Sequence, residues 1–153
     1  MLYQLRDLND GNLRQREFLN DLTEKPDSPD LQTSIDYYTR ETTLQNNRLS
    51  QVFTLLNEDA HNGDCAGMKA MIKASKKMLN ECANSAVCDA AIITVVQHMN
   101  HYEIAGYGTA ISYAKALEKH DIARILLDSL RECKNADSEL SDVALKHINL
   151  EAR

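Results

Sequence analysis

Polar residues interrupt the apolar stripes of four predicted helices, and their side chains are of types that ligate cations or share protons. In the segment from Asn100 to Leu117, apolar residues recur every three or four positions, yet Asn100 and Glu103 fall in line with them. The other three stripes contain similar interruptions: Asn12 and Gln15, then Glu41 or Thr42 with Gln45, and then Asp137. Antiparallel packing would bring these interruptions to a similar level, so the pattern predicts a polar layer inside a helical bundle.

Three carboxylates belong to this predicted layer: Glu41, Glu103 and Asp137. A buried carboxylate costs several kcal/mol unless it is neutralised or paired, so three at one level require a cation or protons. In one interpretation the carboxylates bind metal, as they do in di-iron and di-manganese bundles. In the other, Asn12, Gln45 and Asn100 satisfy a protonated or shared carboxylate set through hydrogen bonds.

Other residues near the layer are candidates for supporting roles. His101 follows Asn100 by one position and therefore points about 100° away from it, towards the surface or behind the layer. Tyr107 is expected in the core, with its hydroxyl able to reach the layer. Cys133 lies on the apolar stripe of the last helix, where a free cysteine is a small buried hydrophobe, a thiolate ligand or a redox thiol.

Five helices are predicted in a single domain that spans residues 1–153. Their predicted limits are about Leu2–Leu22, Pro29–Asn57, Ala66–Leu79, Ser85–Leu117 and Ile122–Ala152. Ser28 or Asp30 is a candidate N-cap for the second helix, and Asp121 for the last. Four helices are long, and the short one lies in the long crossover between the second and third of these. This order predicts an all-α, ferritin-like four-helix bundle with an additional short crossover helix.

Composition and charge limit the classes of function. The formal charge is −6 and the basic residues are scattered, so we expect neither nucleic acid nor an anionic membrane as a partner. No long apolar run occurs, and the N-terminal sequence lacks the apolar core of a signal peptide, which favours a cytoplasmic protein. In that reducing compartment we expect the 4 cysteines to be free thiols.

Several stretches of the chain resemble the YciE/YciF family of bacterial ferritin-like proteins. The run NHYEIAGYGT, followed by ARILLDSLRECKNADSELSDVALKHIN, is similar to the family pattern E-H-Y-E-I-A-x-Y-G-T and the later E-E-x-K-x-x-D-x-x-L. The segment RETTLQNNRL resembles the family's E-T-x-x-Q-x-x-R-L, and DCAGMKAM resembles its Cys-x-x-Met crossover helix. The similarity covers nearly the whole chain in order.

The resemblance implies a ferritin-like bundle that pairs into dimers, has a carboxylate-rich dinuclear metal site and acts in stress responses. Four polar positions of the family pattern are kept here: Glu41, Gln45, Glu103 and Asp137. Acidic positions of the pattern are replaced at four others: Asn12, Arg40, Asn100 and Cys133. A dinuclear site needs about four to six carboxylate or imidazole ligands, and this stripe supplies fewer.

We therefore expect a degenerate site that holds at most one divalent ion, which would be iron, manganese or zinc, or none. In the metal-binding interpretation the ligands are Glu41, Glu103 and Asp137, with Asn12, Gln45 or Asn100 as neutral supports. The alternative is a metal-free helical bundle that acts as a structural or protein-interaction module. A non-enzymatic role is favoured over catalysis, because oxygen chemistry needs a redox metal with an open position and no second set of acid–base residues is visible.

A homodimer is expected mainly from the resemblance. Four aromatic residues also supply more large side chains than one thin core needs, and aromatic residues are favoured at interface cores. These residues are Tyr3, Tyr37, Phe53 and Tyr113.

Overall fold

The computed structural model describes residues 1–149 and residue 152. Five α-helices contain most of these residues: α1 (Leu2–Asn20), α2 (Pro29–Leu56), α3 (Ala66–Asn80), α4 (Ser85–Ala116) and α5 (His120–Val143). A π-helical turn, Ala144–Ile148, continues α5. The predicted helices are present with small differences at their ends. Residues 150 and 151 of the last predicted helix lie outside the described part of the chain.

The four long helices form an antiparallel bundle in which α1 and α5 each pack against both α2 and α4. The short helix α3 lies outside this ring, against α1 and α4. This arrangement confirms the prediction of an all-α bundle with a short crossover helix. Among the residues that the structure describes, no helix is both long and apolar enough to cross a lipid bilayer.

Two side chains fix the start of α2: the hydroxyl group of Ser28 and the carboxylate of Asp89. The backbone N–H of Leu31 donates to Ser28 Oγ at 3.4 Å, so the N-cap is Ser28. Of the two predicted alternatives, Ser28 is therefore confirmed and Asp30 is not. The buried Asp89 of α4 accepts from the backbone N–H groups of Asp27 and Ser28, at 2.9 and 2.8 Å. Asp89 therefore ties the α1–α2 loop to α4.

The predicted capping role of Asp121 is wrong. Helix α5 begins at His120, its N-cap is Lys119, and no side chain makes a capping hydrogen bond there. Because the helix starts two residues before the predicted Ile122, Asp121 lies inside the first turn. A carboxylate at that position still stabilises the helix through the positive end of the helix dipole.

Two glycines permit close contacts between α1, α3 and α4. A Cβ atom at Gly106 would lie 2.6 Å from Leu8 Cδ2, so a side chain there would displace the buried Leu8 side chain from the α1–α4 contact. A Cβ atom at Gly67 would lie 2.8 Å from the ring of Tyr102, whose hydroxyl donates to Asp7 at 2.9 Å. The crossover helix can therefore rest directly on this α1–α4 contact.

Two hydrophobic clusters fill the interior of the bundle. The first cluster lies towards the α1–α2 loop and includes Leu19, Leu31, Ile35, Tyr38, Val96, Met99 and Leu140. The second lies towards the α4–α5 turn and includes Leu5, Leu8, Leu49, Val52, Tyr107, Leu126 and Cys133. Phe53, predicted at an interface, is 2% exposed and belongs to the second cluster, whereas Tyr3, Tyr37 and Tyr113 are exposed. The bundle is thus apolar at both ends of its long axis and polar between them.

Candidate functional site: a buried polar layer

A layer of buried polar side chains, called the polar layer below, separates the two hydrophobic clusters. Along α1 it lies between Leu8 and Phe18, and along α4 between Met99 and Tyr107. Its members are Asn12, Gln15, Glu41, Thr42, Gln45, Asn46, Asn100 and Glu103. The interruptions predicted on α1, α2 and α4 therefore do meet at one level.

Glu103 is the carboxyl group at the centre of the polar layer, and its residue is only 1% exposed. Burial raises the pKa of Glu103 to about 8, although hydrogen bonds from Tyr38 and Cys133 act in the opposite direction. Removal from water disfavours the charged form of an acid. The Glu103 carboxyl group is therefore predominantly protonated at neutral pH.

The carboxamide of Gln15 can serve either protonation state of Glu103. Gln15 Oε1 lies 2.6 Å from Glu103 Oε1, a normal O–H···O length, so it accepts the carboxyl proton when Glu103 is neutral. In this orientation Gln15 Nε2 donates to the Tyr38 hydroxyl at 2.7 Å. When Glu103 is ionised, the reversed amide directs its nitrogen at both carboxylate oxygens, at 2.6 and 2.9 Å. Neither state requires a counter-ion for its hydrogen bonding.

Tyr38 and Asn100 extend the hydrogen bonding across the bundle. The Tyr38 hydroxyl donates to Asn100 Oδ1 at 2.8 Å, a shorter contact than the 3.2 Å to Glu103 Oε2. Asn100 Nδ2 donates to the backbone carbonyl of Cys133 on α5 at 2.7 Å. With Glu103 protonated, hydrogen bonds run in one direction from Glu103 through Gln15, Tyr38 and Asn100 to Cys133. Every donor in this chain has an acceptor, and the chain joins all four long helices.

A second buried pair links α1 to α4 beside this chain. Asn12 Nδ2 donates to the Tyr107 hydroxyl at 2.5 Å, so the expected reach of Tyr107 into the layer is present. Burial, and next the neighbouring Glu103, raise the pKa of Tyr107 well above its ordinary value. Tyr107 is therefore a neutral phenol, and Asn12 supports it with a neutral amide.

Cys133 occupies the α5 side of the polar layer and is fully buried. Its Sγ lies 3.9 Å from Glu103 Oε2, to which the thiol donates. Burial, and next Glu103, raise the pKa of the Cys133 thiol well above its ordinary value. A thiol held in the neutral form is a poor metal ligand and a poor nucleophile, because both roles need the thiolate.

Glu41 lies at the edge of the layer, with 8% of the residue exposed. Burial raises its pKa to about 7; a hydrogen bond with Tyr37 acts against this, and the carboxylates of Glu132 and Glu139 add to it. Four buried oxygen atoms of the layer have no hydrogen-bond partner within the described residues: Asn12 Oδ1, Glu41 Oε2, Gln45 Oε1 and Asn46 Oδ1. Two oxygen atoms one helical turn apart on α2 are therefore left free at this edge.

A cationic side chain that sequence reasoning missed also lies at this edge. Arg48 forms two hydrogen bonds with Glu132, each 2.6 Å long, from Nη1 to Oε2 and from Nη2 to Oε1. Gln45 Nε2 donates to Glu132 Oε2 at 3.3 Å. Arg48 follows Gln45 by three positions and is the second arginine of the RETTLQNNRL segment, which was the available signal. The positive charge next to the layer is thus an arginine of the protein itself.

Asp137 does not join the other two predicted ligands. Its carboxylate accepts from Gln97 Nε2 at 3.2 Å and lies 3.1 Å from Nε2 of the exposed His101. The buried α5 position at this level is Ala136, one residue earlier, so Asp137 points to the side. Within residues 1–149 and 152, no group of three or more His, Cys, Asp or Glu side chains is placed to hold a metal ion. Glu41, Glu103 and Asp137 are therefore not brought together.

The donor set does not fit the dinuclear metal centre that the family resemblance implies. The groups that contact the Glu103 carboxyl are an amide, a phenol and a protonated thiol, which supply almost no negative charge for two divalent ions. The buried oxygen atoms without a partner among the described residues, Asn12 Oδ1, Glu41 Oε2, Gln45 Oε1 and Asn46 Oδ1, offer one carboxylate and three neutral amide oxygens. This set has too little negative charge to balance two divalent ions.

The fold and this layer define a class of protein, an all-helical bundle with hydrogen-bonded polar residues across its centre. The chain belongs to the family described as "Domain of unknown function (DUF892)", whose model matches residues 1–153. The resemblance to the YciE/YciF family is thereby confirmed.

Named relatives share both sequence and fold with this chain. Protein YciF of Escherichia coli (strain K12) is 34% identical over 88 residues, which make up 58% of this chain and 53% of that protein. The matched segment thus spans about half the length of that curated relative. The crystal structure of the E. coli stress protein YciF matches with a TM-score of 0.91 at 28% identity, over 97% of this chain and 94% of that one.

A second solved structure gives a similar result. It is described as YcfI, a putative structural protein from Rhodopseudomonas palustris. It matches with a TM-score of 0.89 at 34% identity, over 92% of this chain and 89% of that one. The bundle and its crossover helix are therefore shared over nearly the full length of both structures.

Proposed function

We propose that this protein is a structural, stress-associated bundle of the YciF type, whose polar layer works without a dinuclear metal centre and holds at most one divalent ion. The observation that carries the proposal is the series of buried contacts of 2.6 to 2.8 Å that joins Glu103 through Gln15, Tyr38 and Asn100 to the Cys133 carbonyl. A protonated carboxyl group that is fully hydrogen-bonded needs no cation to be stable in the core.

The replacements at Asn12 and Asn100 support this function. Each asparagine side chain donates a hydrogen bond, to the Tyr107 hydroxyl and to the Cys133 carbonyl respectively. A carboxylate at position 100 would be an acceptor facing the Cys133 carbonyl, which is also an acceptor. A carboxylate at position 12 could accept from the Tyr107 hydroxyl, but at either position it would add a buried negative charge. The asparagines thus favour a folded, metal-free layer and disfavour a site for two divalent ions.

The free oxygen atoms at the edge of the layer limit what metal binding remains. Glu41 Oε2 belongs to the one carboxylate among these unpartnered atoms, and with Gln45 Oε1 one turn away it is the place we assign to one ion such as iron, manganese or zinc. Arg48 lies on the same face of α2 and repels a second cation. One weakly bound ion, or none, follows from this donor set.

The descriptions of the relatives agree with a non-catalytic role. One solved relative is called a stress protein and the other a putative structural protein. A cytoplasmic location and a homodimer, both expected from the sequence, complete the proposal. In this view the bundle acts through its surface, and the polar layer maintains its shape.

Elemental analysis tests the proposal most directly. The protein is purified without chelators, loaded in turn with iron, manganese or zinc, and its bound metal is counted per chain. We expect at most one equivalent, because the layer lacks the charge for two. Binding of two tightly held equivalents would refute the proposal, and that stoichiometry should then fall in an Asp137→Ala variant.

Two matched variants show where a single bound metal ion is held. Glu41→Gln removes a carboxylate at the free edge of the layer without changing its size, and it should abolish binding. Glu139→Gln makes the same change at an exposed position near Glu41 and should leave binding unchanged. A loss of metal in Glu139→Gln alone would place the ion on the surface and contradict the assignment to the layer.

A further inference from the structure

An open groove runs between α1 and α3 on the outside of the bundle. Phe18 and Ile72 line its floor, and the cavity has a volume of about 460 Å³. A second cavity of about 390 Å³ shares Phe18 with the first and ends at Leu79. Ile72 and Leu79 are only partly buried, because none of the described residues covers them on the groove side. The groove is therefore a continuous apolar floor between two helices.

The α3 side of the groove is strongly basic in an otherwise acidic protein. Helix α3 contains four lysines and no acidic residue, so it carries a formal charge of +4 in a chain of −6. Lys69 is paired with Asp64, but Lys73 and Lys76 are exposed and make no ion pair within the described residues. Unpaired lysines beside exposed apolar surface are suited to an anionic, partly apolar partner.

The α1 side of the groove presents acidic residues. The exposed Glu17 and Asp21 line it; Arg14 also lines it but is paired with Asp10 at 2.7 Å, and Lys25 lines the second cavity beside Asp21. The two lips, Glu17 with Asp21 and Lys73 with Lys76, thus differ in sign across an apolar floor. A fatty acid or a single phosphate would satisfy the lysines and leave the acidic lip unpaired. A helix with an apolar seam and two charged flanks can satisfy both lips at once.

We propose that the α1–α3 groove binds an amphipathic helix of a partner protein, with acidic residues facing Lys73 and Lys76 and basic residues facing Glu17 and Asp21. The groove floor extends along α3 from Lys69 to Leu79, which is about 15 Å, or nearly three turns of a bound helix. The groove shares no residue with the polar layer, so a negative result here would not bear on the metal stoichiometry.

Synthetic helical peptides of about three turns test this site. Each carries leucines at positions i, i+3, i+4 and i+7; the first peptide has glutamates on one flank and lysines on the other, and the second has lysines on both flanks. Binding to the full-length protein is measured by fluorescence anisotropy at low and high salt. We expect the mixed peptide to bind better than the all-lysine peptide, with an affinity that weakens as salt rises.

Charge reversal of one lip supplies the decisive comparison. Lys73→Glu with Lys76→Glu makes both lips acidic, so the mixed peptide should bind about tenfold more weakly and the all-lysine peptide more tightly. Lys115→Glu with Lys134→Glu changes the net charge equally at exposed positions away from the groove and should preserve the original order. All four lysines are exposed, so these variants should fold.

Two outcomes would overturn the proposal. One is equal binding of the mixed peptide to the wild type and to both double variants, because the groove lysines would then have no part in recognition. The other is no binding of either peptide to the wild type at millimolar concentration. Hydrogen–deuterium exchange should show protection of residues 69–79 in the complex, and protection elsewhere alone would also contradict the site.

Discussion

Replacement of Glu103 by glutamine should remove most of the pH dependence of stability between pH 4.5 and 8. The pKa of Glu103 rises from an ordinary 4.5 to about 8 in the folded protein. Between these values the unfolded chain has lost the proton while the native protein keeps it, so the native state binds more protons. The free energy of unfolding therefore falls as pH rises through this range and becomes level above it.

The size of this effect follows from the same two pKa values. Each pH unit between them is worth about 1.4 kcal/mol, so Glu103 should reduce the free energy of unfolding by about 5 kcal/mol from pH 4.5 to 8. Glutamine has the same shape as a protonated glutamic acid, and its amide nitrogen can donate to Gln15 Oε1. Glu103→Gln should consequently match the wild type near pH 4.5 and exceed it by several kcal/mol at pH 8.

Urea unfolding followed by circular dichroism measures this difference. Curves are collected from pH 4.5 to 9 with a chelator present, for the wild type, for Glu103→Gln and for Glu139→Gln as an exposed control. Glu41 contributes a smaller slope of the same sign, because its pKa is raised to about 7. The reasoning fails if wild-type stability is constant or rises with pH, or if Glu103→Gln is less stable than the wild type at pH 8. Either result would mean that the folded protein prefers the ionised carboxylate.

Three further predictions concern other contacts. Tyr38→Phe should reduce the free energy of unfolding by about 3 kcal/mol, because it leaves a buried donor and a buried acceptor without partners, whereas the exposed Tyr113→Phe should have no measurable effect in the same urea assay. Arg48→Met should reduce the free energy of unfolding by about 2 kcal/mol, because it leaves the partly buried Glu132 unpaired. Arg40→Met removes an exposed ion pair and should reduce the free energy of unfolding by under about 1 kcal/mol. Light scattering at micromolar concentration should give the mass of a dimer; a monomer mass would contradict the expected homodimer.

The helices and their buried faces could be predicted because periodicity determines them. The stripe on α4, including Asn100 and Glu103, is buried at every predicted position. On α5 the predicted stripe passes through Asp137 at the level of the polar layer. The structure instead buries Ala136, one residue earlier. Spacings of three and four residues both fit a helix, so a stripe with few large apolar residues leaves about 100° of rotation undetermined.

The hydrogen-bond partners within the layer could not be predicted from spacing. Tyr38 lies on an apolar stripe, and nothing in the sequence of α2 indicates that its hydroxyl meets Gln15 of α1 and Asn100 of α4. The same holds for Arg48 and Glu132, which are far apart in the chain and meet only when α2 packs against α5. Such pairs depend on the relative register of neighbouring helices, which a single sequence does not contain.

The position of the polar layer between two hydrophobic clusters also fixes how the helices align along the bundle axis. If α1 slid by one turn, about 5.4 Å, Gln15 would leave Glu103 and Tyr38, and in one direction Phe18 and Leu19 would face the carboxyl group instead. Purely apolar stripes would tolerate such a slide, since one leucine can replace another. The hydrogen-bonded layer therefore fixes the alignment of the helices, which gives a reason to retain buried polar residues in the bundle that does not depend on metal binding.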